Sequence, residues 1–457
     1  MPDALDSLRG VIGGEVIAPA EAGSRYGGDA SHLRGEPLGG VRPRDAADVV
    51  RLVGWARTHR VALVARGGGS SLDGESVPVR GSVVVDFSGW DRVLEIAADD
   101  RVAVVGPGVV NRDLHRALAP HGLFFPPNPG SWTVSTLGGN VATNASGPRS
   151  FKYGTTRNWV SALVVVLGTG ELVQLGGRTT KRSTGPDLLS LFIGSEGILG
   201  LTTEVTVRLA VRPARRTGII VPLPPESRIG PVARAIARWP LRGLSAVEYL
   251  DRACADALAA EAPGRIPPDR AALLLEIESG DEDEETRVLA DVLDRLRGLG
   301  LTEEPLVLAD ADEMWTLRGQ SGLALDREMG ERIREDVAVP LSRLDELVAL
   351  VEQVGHRHGT RVATFGHVGD GNLHPNYAID PTLPGADLLR RDLLTGTRQL
   401  AGTISAEHGI GALKAPHLGL ELEAPAIQLL RDVKRACDPD GLLNPGKVLP
   451  PVDRERA

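Results

Sequence analysis

Two histidines, His367 and His374, bracket the stretch Val368-Gly369-Asp370-Gly371-Asn372-Leu373, and farther on a third, His408, directly follows Glu407. Imidazole and carboxylate are the donor types of open zinc sites. An imidazole that titrates near neutral pH is also the usual general base. Asp370-Gly371 between short runs signals a hairpin. A two-residue turn there sets Gly369 opposite Asn372, Val368 opposite Leu373 and His367 opposite His374. Directly opposed residues share a face, with Cβ atoms about 4.5–5.5 Å apart, which lets two imidazoles reach one ion. Such a site needs a third ligand and a catalytic group, and Glu407-His408-Gly409-Ile410-Gly411 offers candidates. The same residues also fit a tight turn with two surface histidines, and the motif alone does not separate the two readings.

Residues of another chemistry stand upstream in glycine-rich loops. Arg66-Gly67-Gly68-Gly69-Ser70-Ser71-Leu72-Asp73-Gly74 follows the apolar run 61–65, which reads as a buried strand. Successive N–H groups in such a loop can converge on an anion, although a glycine run can also simply turn the chain. The loop lacks the Gly-Lys-Ser/Thr of a P-loop, and Leu72 stands where a dinucleotide fingerprint needs its third glycine. A phosphate bound here is therefore held by another architecture. Residues 126–154 form a long polar stretch of small hydroxyl and amide residues, suited to an extended polar ligand, and loops of this length are usually functional. The segment 187–200 reads as a helix, then Gly194-Ser195-Glu196-Gly197 and a strand.

The elements that must carry these loops alternate in type. Helical spacing begins at Asp45, strands are expected at 81–86 and 101–106, and a hairpin over 160–175 turns near Gly168-Thr169-Gly170. A Pro-rich composition shift over 209–225 marks a boundary. Beyond it, amphipathic stretches at 284–299 and 341–358 alternate with strand-like runs at 271–277 and 361–365, an α+β arrangement. The acidic run 281–285 reads as a solvated helix start.

Composition bounds the rest. A chain of 457 residues, 42% hydrophobic and 24% charged, has the make-up of a soluble globular protein with more than one core. The net charge of −9 argues against a general nucleic-acid or anionic-membrane binder. The two cysteines, Cys254 and Cys437, cannot build a disulfide framework and fit a reducing compartment. The first ten residues lack a signal-peptide pattern, and no apolar run approaches the roughly 18 residues of a membrane span. The expectation is a cytoplasmic protein, with peripheral attachment to the inner membrane face through a partner left open.

Residues 66–74, 138–154 and 194–200, taken together, resemble the flavin-binding domain of the vanillyl-alcohol oxidase superfamily. Within it, the chain resembles the group formed by the flavoprotein chain of glycolate oxidase, D-lactate dehydrogenase and D-2-hydroxyglutarate dehydrogenase. Gly366-His367-Val368-Gly369-Asp370-Gly371-Asn372-Leu373-His374, Glu407-His408-Gly409-Ile410-Gly411 and Asp438-Pro439 through Leu443-Asn444-Pro445-Gly446-Lys447 extend the match in the same order. The resemblance implies an α+β fold with a two-subdomain FAD-binding domain over 1–210, an α+β cap carrying the metal site over 211–430, and a segment 431–457 returning to the FAD domain. It implies that Arg66, Gly67, Gly68, Gly69, Ser70 and Ser71 hold the FAD pyrophosphate. Thr136, Gly139, Asn140, Thr143, Asn144 and Gly147 would line ribityl and flavin. Glu196, Gly197 and Gly200 would lie near the adenosine end, and Asn444 would join the set from the tail. No histidine falls in 66–74, so FAD is expected to bind non-covalently.

By the same resemblance His367, His374 and Glu407 bind a divalent metal, zinc first, with manganese and iron compatible. Neighbours in an extended segment point oppositely, so Glu407 would ligate while His408 addresses the substrate as general base. Arg318 matches the family's carboxylate-binding arginine, and a guanidinium suits bidentate binding. Arg334 stands where relatives often have lysine, which keeps the charge and changes its geometry. Asn376 would complete the substrate pocket. Without the family match, His408 reads as an ordinary hydrogen-bonded histidine and the arginines as surface ion pairs. The activity implied is oxidation of a D-2-hydroxy acid (D-lactate, glycolate or D-2-hydroxyglutarate type) to the 2-oxo acid, with hydride passing to the flavin. The reduced cofactor would pass its electrons to a quinone, a cytochrome or an electron-transfer flavoprotein, and a homodimer is left open. Two alternatives stand beside it: a flavin-dependent alkyl transferase of the alkylglycerone-phosphate synthase type, and a metal hydrolase whose glycine loops are structural.

Overall fold

Strand Val83-Val84-Val85-Asp86 is buried along its whole length, as expected of a strand covered on both faces. In the computed structural model, which describes residues 2–451, it pairs in parallel with Leu63–Arg66 and Gly39–Arg42, while Glu15–Ile17 runs antiparallel at the edge. The helix Ala46–His59 makes the crossover between two of these strands; the Asp45 carboxylate caps it by accepting from the Asp48 amide at 2.9 Å. Leu52, Val53, Trp55 and Ala56 bury its inner face with Leu63 and Val85.

A second sheet, wholly antiparallel, has the order Val93–Ala97, Val102–Val105, Gly200–Arg208, Val160–Leu167, Leu172–Gly176. The hairpin read at 160–175 is its edge, with Gly170 at φ +93° in the turn. The helix expected after residue 187 shortens to Leu189–Phe192. Both sheets belong to one compact unit, Met1–Ser146 with Thr155–Val211 and Glu407–Ala457. The last segment joins the first sheet directly: the Leu63 amide donates to Leu442 O and the Asn444 amide to Leu63 O, each at 2.8 Å. The boundary expected at 430/431 thus falls at Ala406/Glu407, and residues 452–457 of the expected tail lie outside the described residues.

The other unit is Gly147–Gly154 with Arg212–Ala406. Its antiparallel sheet runs Leu306–Leu308, Arg215–Pro222, Ala272–Ser279, Leu244–Leu250, Val362–Gly366, Asn372–Tyr377, Ile333–Arg334. Helices Arg252–Glu261 and Leu344–Arg357 pack on Val362–Gly366. The acidic run expected to start a helix does so, with Asp281 as its cap. Ala272–Ser279 is buried throughout, including Glu276 and Glu278. Arg149 Nε lies 2.9 Å from Glu276, and Lys152 Nζ and Tyr153 OH each lie 2.6 Å from Glu278. A buried carboxylate needs a charged partner, which explains why 147–154 belongs to this unit.

The turn at Asp370-Gly371 differs from expectation. Phe365, not His367, pairs with His374, and the connection runs from His367 to Gly371 through a 3-10 turn, Val368–Asp370. The reason is tertiary: the Val339 amide donates to Gly371 O at 3.0 Å, and the Asn372 amide reaches back to His367 O at 3.2 Å. His367 therefore lies past the strand end, and the two histidines are not a cross-strand pair.

Candidate active site

In the first unit the loop after Leu63–Arg66 presses against residues 134–136. A Cβ on Gly67 would come within 2.2 Å of Thr136 Oγ1, and one on Gly68 within 2.2 Å of Val134 O; Gly69 has φ +66°. Only glycine allows this approach. Thr136 in turn caps Leu137–Thr143, accepting from the Gly139 amide at 3.3 Å, and Thr143 Oγ1 donates to Gly139 O. Arg66 Nη1, Ser135 Oγ and Asn140 Nδ2 are buried with no protein hydrogen-bond partner among the described residues. Buried polar groups are rarely left so, and a glycine cradle beside three such groups fits a bound polar, anionic cofactor. Arg66 also lies 5.7 Å from the ring centre of Tyr26, whose hydroxyl donates to Asp86 at 2.7 Å.

Other residues assigned to the cofactor are tied to the protein by side chain or backbone. Asn144, at φ +54°, accepts from Thr155 Oγ1 at 3.0 Å and the Arg157 amide at 2.9 Å. Asn444 Nδ2 donates to the carbonyls of Glu75 and Glu196, while its Oδ1 is buried with no protein hydrogen-bond partner among the described residues. Gly200 opens a sheet strand, where a Cβ would meet Val165 Cγ1 at 2.3 Å. Gly147 falls in the other unit, its amide donating to Ser150 Oγ at 3.1 Å.

In the second unit His367 and His374 come together despite the changed register. Their ring centroids lie 5.0 Å apart at 84°, and each offers a ring nitrogen within 4.8 Å of the other. Both are 5% exposed. Each has a carboxylate at Nδ1: Glu248 hydrogen-bonds His367, and Asp336 Oδ1 lies 3.5 Å from His374. Carboxylates so placed orient histidine ligands and leave Nε2 for an ion. Glu248 is wholly buried on Leu244–Leu250, and its other oxygen lies 2.9 Å from Arg318 Nε. Burial alone would push its carboxyl up, but His367 and Arg318 outweigh burial and hold it below the usual range. Asp336 is fixed by Asn372 Nδ2 at 2.8 Å and by the Ala406 amide at 2.7 Å.

Arg318 also stacks on Phe365, 4.1 Å from the ring centre, and Phe365 faces His374. Arg334 pairs with Asp326 at 3.1 Å. Asn376 accepts from the buried Arg332 and donates to His374 O at 2.8 Å. Glu407 and His408 lie in the first unit, where Ser146 donates to Glu407. The segment around them is bent, not extended, and His408 Nε2 lies 4.0 Å from Glu407 Oε1. The expected opposition of their side chains does not hold, because alternation requires extended backbone.

Sequence reasoning missed Glu248, Asp336 and Arg332. A lone carboxylate inside the otherwise uncharged run Leu244–Leu250 was the available signal for Glu248; Asp336 and Arg332 sit among ordinary charged neighbours and gave none.

Residues 37–176 match the FAD binding domain family, and residues 212–448 match the family described as FAD linked oxidases, C-terminal domain. The chain belongs to the FAD-linked oxidases and is an FAD-binding oxidoreductase with an α+β fold of the vanillyl-alcohol oxidase type. It is 32% identical to glycolate oxidase subunit GlcD of Bacillus subtilis over 99% of this chain and 98% of that one. It is 34% identical to D-lactate dehydrogenase of Archaeoglobus fulgidus, over 90% of each chain. With D-2-hydroxyglutarate dehydrogenase of Stutzerimonas stutzeri the identity is 32%, over 98% and 99%. Among solved structures, p-cresol methylhydroxylase superposes with a TM-score of 0.82 at 17% identity over 98% of this chain and 97% of that chain, a likeness of fold. No helix of the described residues is long and apolar enough to cross a membrane.

Proposed function

We propose that this chain oxidises a D-2-hydroxy acid to the 2-oxo acid and passes the electrons to an external acceptor. The observation that carries this reading is the buried pair His367 and His374, each with a carboxylate at Nδ1. That arrangement orients two imidazoles toward a divalent ion of the zinc type. The family resemblance assigns Glu407 as the third ligand. The relatives named for lactate, glycolate and hydroxyglutarate chemistry point to the substrate class.

FAD, when bound, supplies two-electron acceptance, and the metal, when bound, supplies polarisation of the substrate oxygens. The protein's share is positioning and proton transfer. Arg66 through Ser71 with Thr136, Gly139, Asn140 and Thr143 hold the cofactor; Gly197, Gly200, Asn144, Gly147 and Asn444 shape the backbone around it. Arg318 and Arg334 neutralise carboxylate charge, Asn376 with Arg332 fixes the strand bearing His374, and His408 takes the hydroxyl proton. The test is conversion: FAD-loaded protein with an artificial electron acceptor should form the 2-oxo acid from a D-2-hydroxy acid. An alkyl transferase would form none.

A further inference from the structure

Glu196 is 4% exposed and sits at φ +50° just before the strand Gly200–Arg208. Both of its carboxylate oxygens are occupied by backbone. Oε1 accepts from the Ile410 amide at 2.6 Å, and Oε2 accepts from the Gly411 amide at 2.8 Å. Its own backbone is held too, with the amide donating to Ala142 O at 2.8 Å and the carbonyl accepting from Asn444 Nδ2 at 2.7 Å. Gly409, at φ +95°, passes between two carboxylates: a Cβ there would lie 2.7 Å from Glu75 Oε1 and 2.8 Å from Glu196 Oε1. Farther along, the amides of Ala412 and Leu413 donate to Asp73 O at 2.9 and 3.1 Å, and Lys414 Nζ lies 3.3 Å from Asp73 Oδ2.

A buried carboxyl is a costly way to satisfy two loop amides. The loop it grips begins with Glu407-His408. We propose that Glu196 is a positioning residue: it fixes the 409–411 backbone and thereby sets where His408 stands. The inference rests on the proposed role of His408 as base, and it gives the carboxylate a task other than contact with the cofactor.

Glu196→Gln and Glu196→Ala, prepared with FAD, test it by amide hydrogen exchange across 407–414 and by steady-state kinetics with a D-2-hydroxy acid. Glu196→Ala should speed exchange at Ile410 and Gly411 by about tenfold or more, since both amides lose their acceptor. Its kcat should fall about a hundredfold through misplacement of the base, with KM within about twofold because binding contacts are untouched. Glu196→Gln, which keeps one acceptor oxygen, should fall between, and FAD content should stay at wild-type level in both. Unchanged exchange and kcat in Glu196→Ala would overturn the proposal. Loss of FAD from both variants would overturn it as well, returning Glu196 to the cofactor. A wild type that oxidises no 2-hydroxy acid defeats the proposed function instead, and the exchange result then decides alone whether Glu196 holds this backbone.

Discussion

Glu248 joins His367 to Arg318, one carboxylate oxygen on the imidazole Nδ1 and the other 2.9 Å from the guanidinium Nε. One buried charge thus orients both a proposed metal ligand and a proposed carboxylate binder. Glu248→Gln should lower metal affinity about 10- to 100-fold, the usual cost of removing such an outer partner. Titration of the metal-free protein with zinc, followed by equilibrium dialysis, measures this; an unchanged affinity would separate Glu248 from the metal.

The two histidine roles can be told apart. His374→Ala should lose metal by elemental analysis while keeping FAD, because the cradle at Arg66–Ser71 lies in the other unit. His408→Ala should keep both FAD and metal and lose turnover by about 10²- to 10⁴-fold, the range for general bases. Full metal occupancy in the first variant, or full turnover in the second, contradicts the assignment.

Arg149 is the buried partner of Glu276, which also binds Arg216 at 2.7 Å and Ser245 at 2.7 Å. Arg149→Ala should destabilise the second unit by about 1.5–3 kcal/mol, since Glu276 loses one of its two charged partners while Arg216 stays in place. Urea denaturation followed by a probe in that unit reads the loss.

Asp251 caps Arg252–Glu261 from a partly buried position, and desolvation pushes its carboxyl from 3.8 to about 7 although the Cys254 and Thr364 amides donate to it. The folded state therefore keeps a proton that the unfolded chain releases between about pH 4 and pH 7. The contribution is fully present below that window and is lost as pH rises through it, by about 1.4 kcal/mol per pH unit. Asp251→Asn should flatten this part of the stability-against-pH curve relative to wild type. An unaltered slope would place the proton elsewhere.

The glycine loops were legible because their function is written into backbone freedom: Gly67 and Gly68 have no space for a side chain. The hairpin was legible as a motif and not as a register, because Val339 sets the turn from outside the hairpin. Likewise Arg149 and Lys152 read as part of the cofactor loop, while their partners Glu276 and Glu278 lie more than a hundred residues on. Local pattern reveals local geometry. Pairings made by distant carboxylates, including Glu196 with Ile410 and Gly411, emerge only in the folded chain.

The central claim is that the flavin accepts electrons from a 2-hydroxy acid at a metal-assisted site. Anaerobic mixing of the FAD- and zinc-loaded protein with D-lactate, glycolate, D-2-hydroxyglutarate and the L-forms of the chiral acids tests it most directly. The account predicts that the flavin absorbance bleaches with glycolate or a D-acid, remains with the L-acids, and that bleaching stops after metal removal and returns with zinc. A flavin left oxidised by every acid, or bleached equally well without metal, would contradict it.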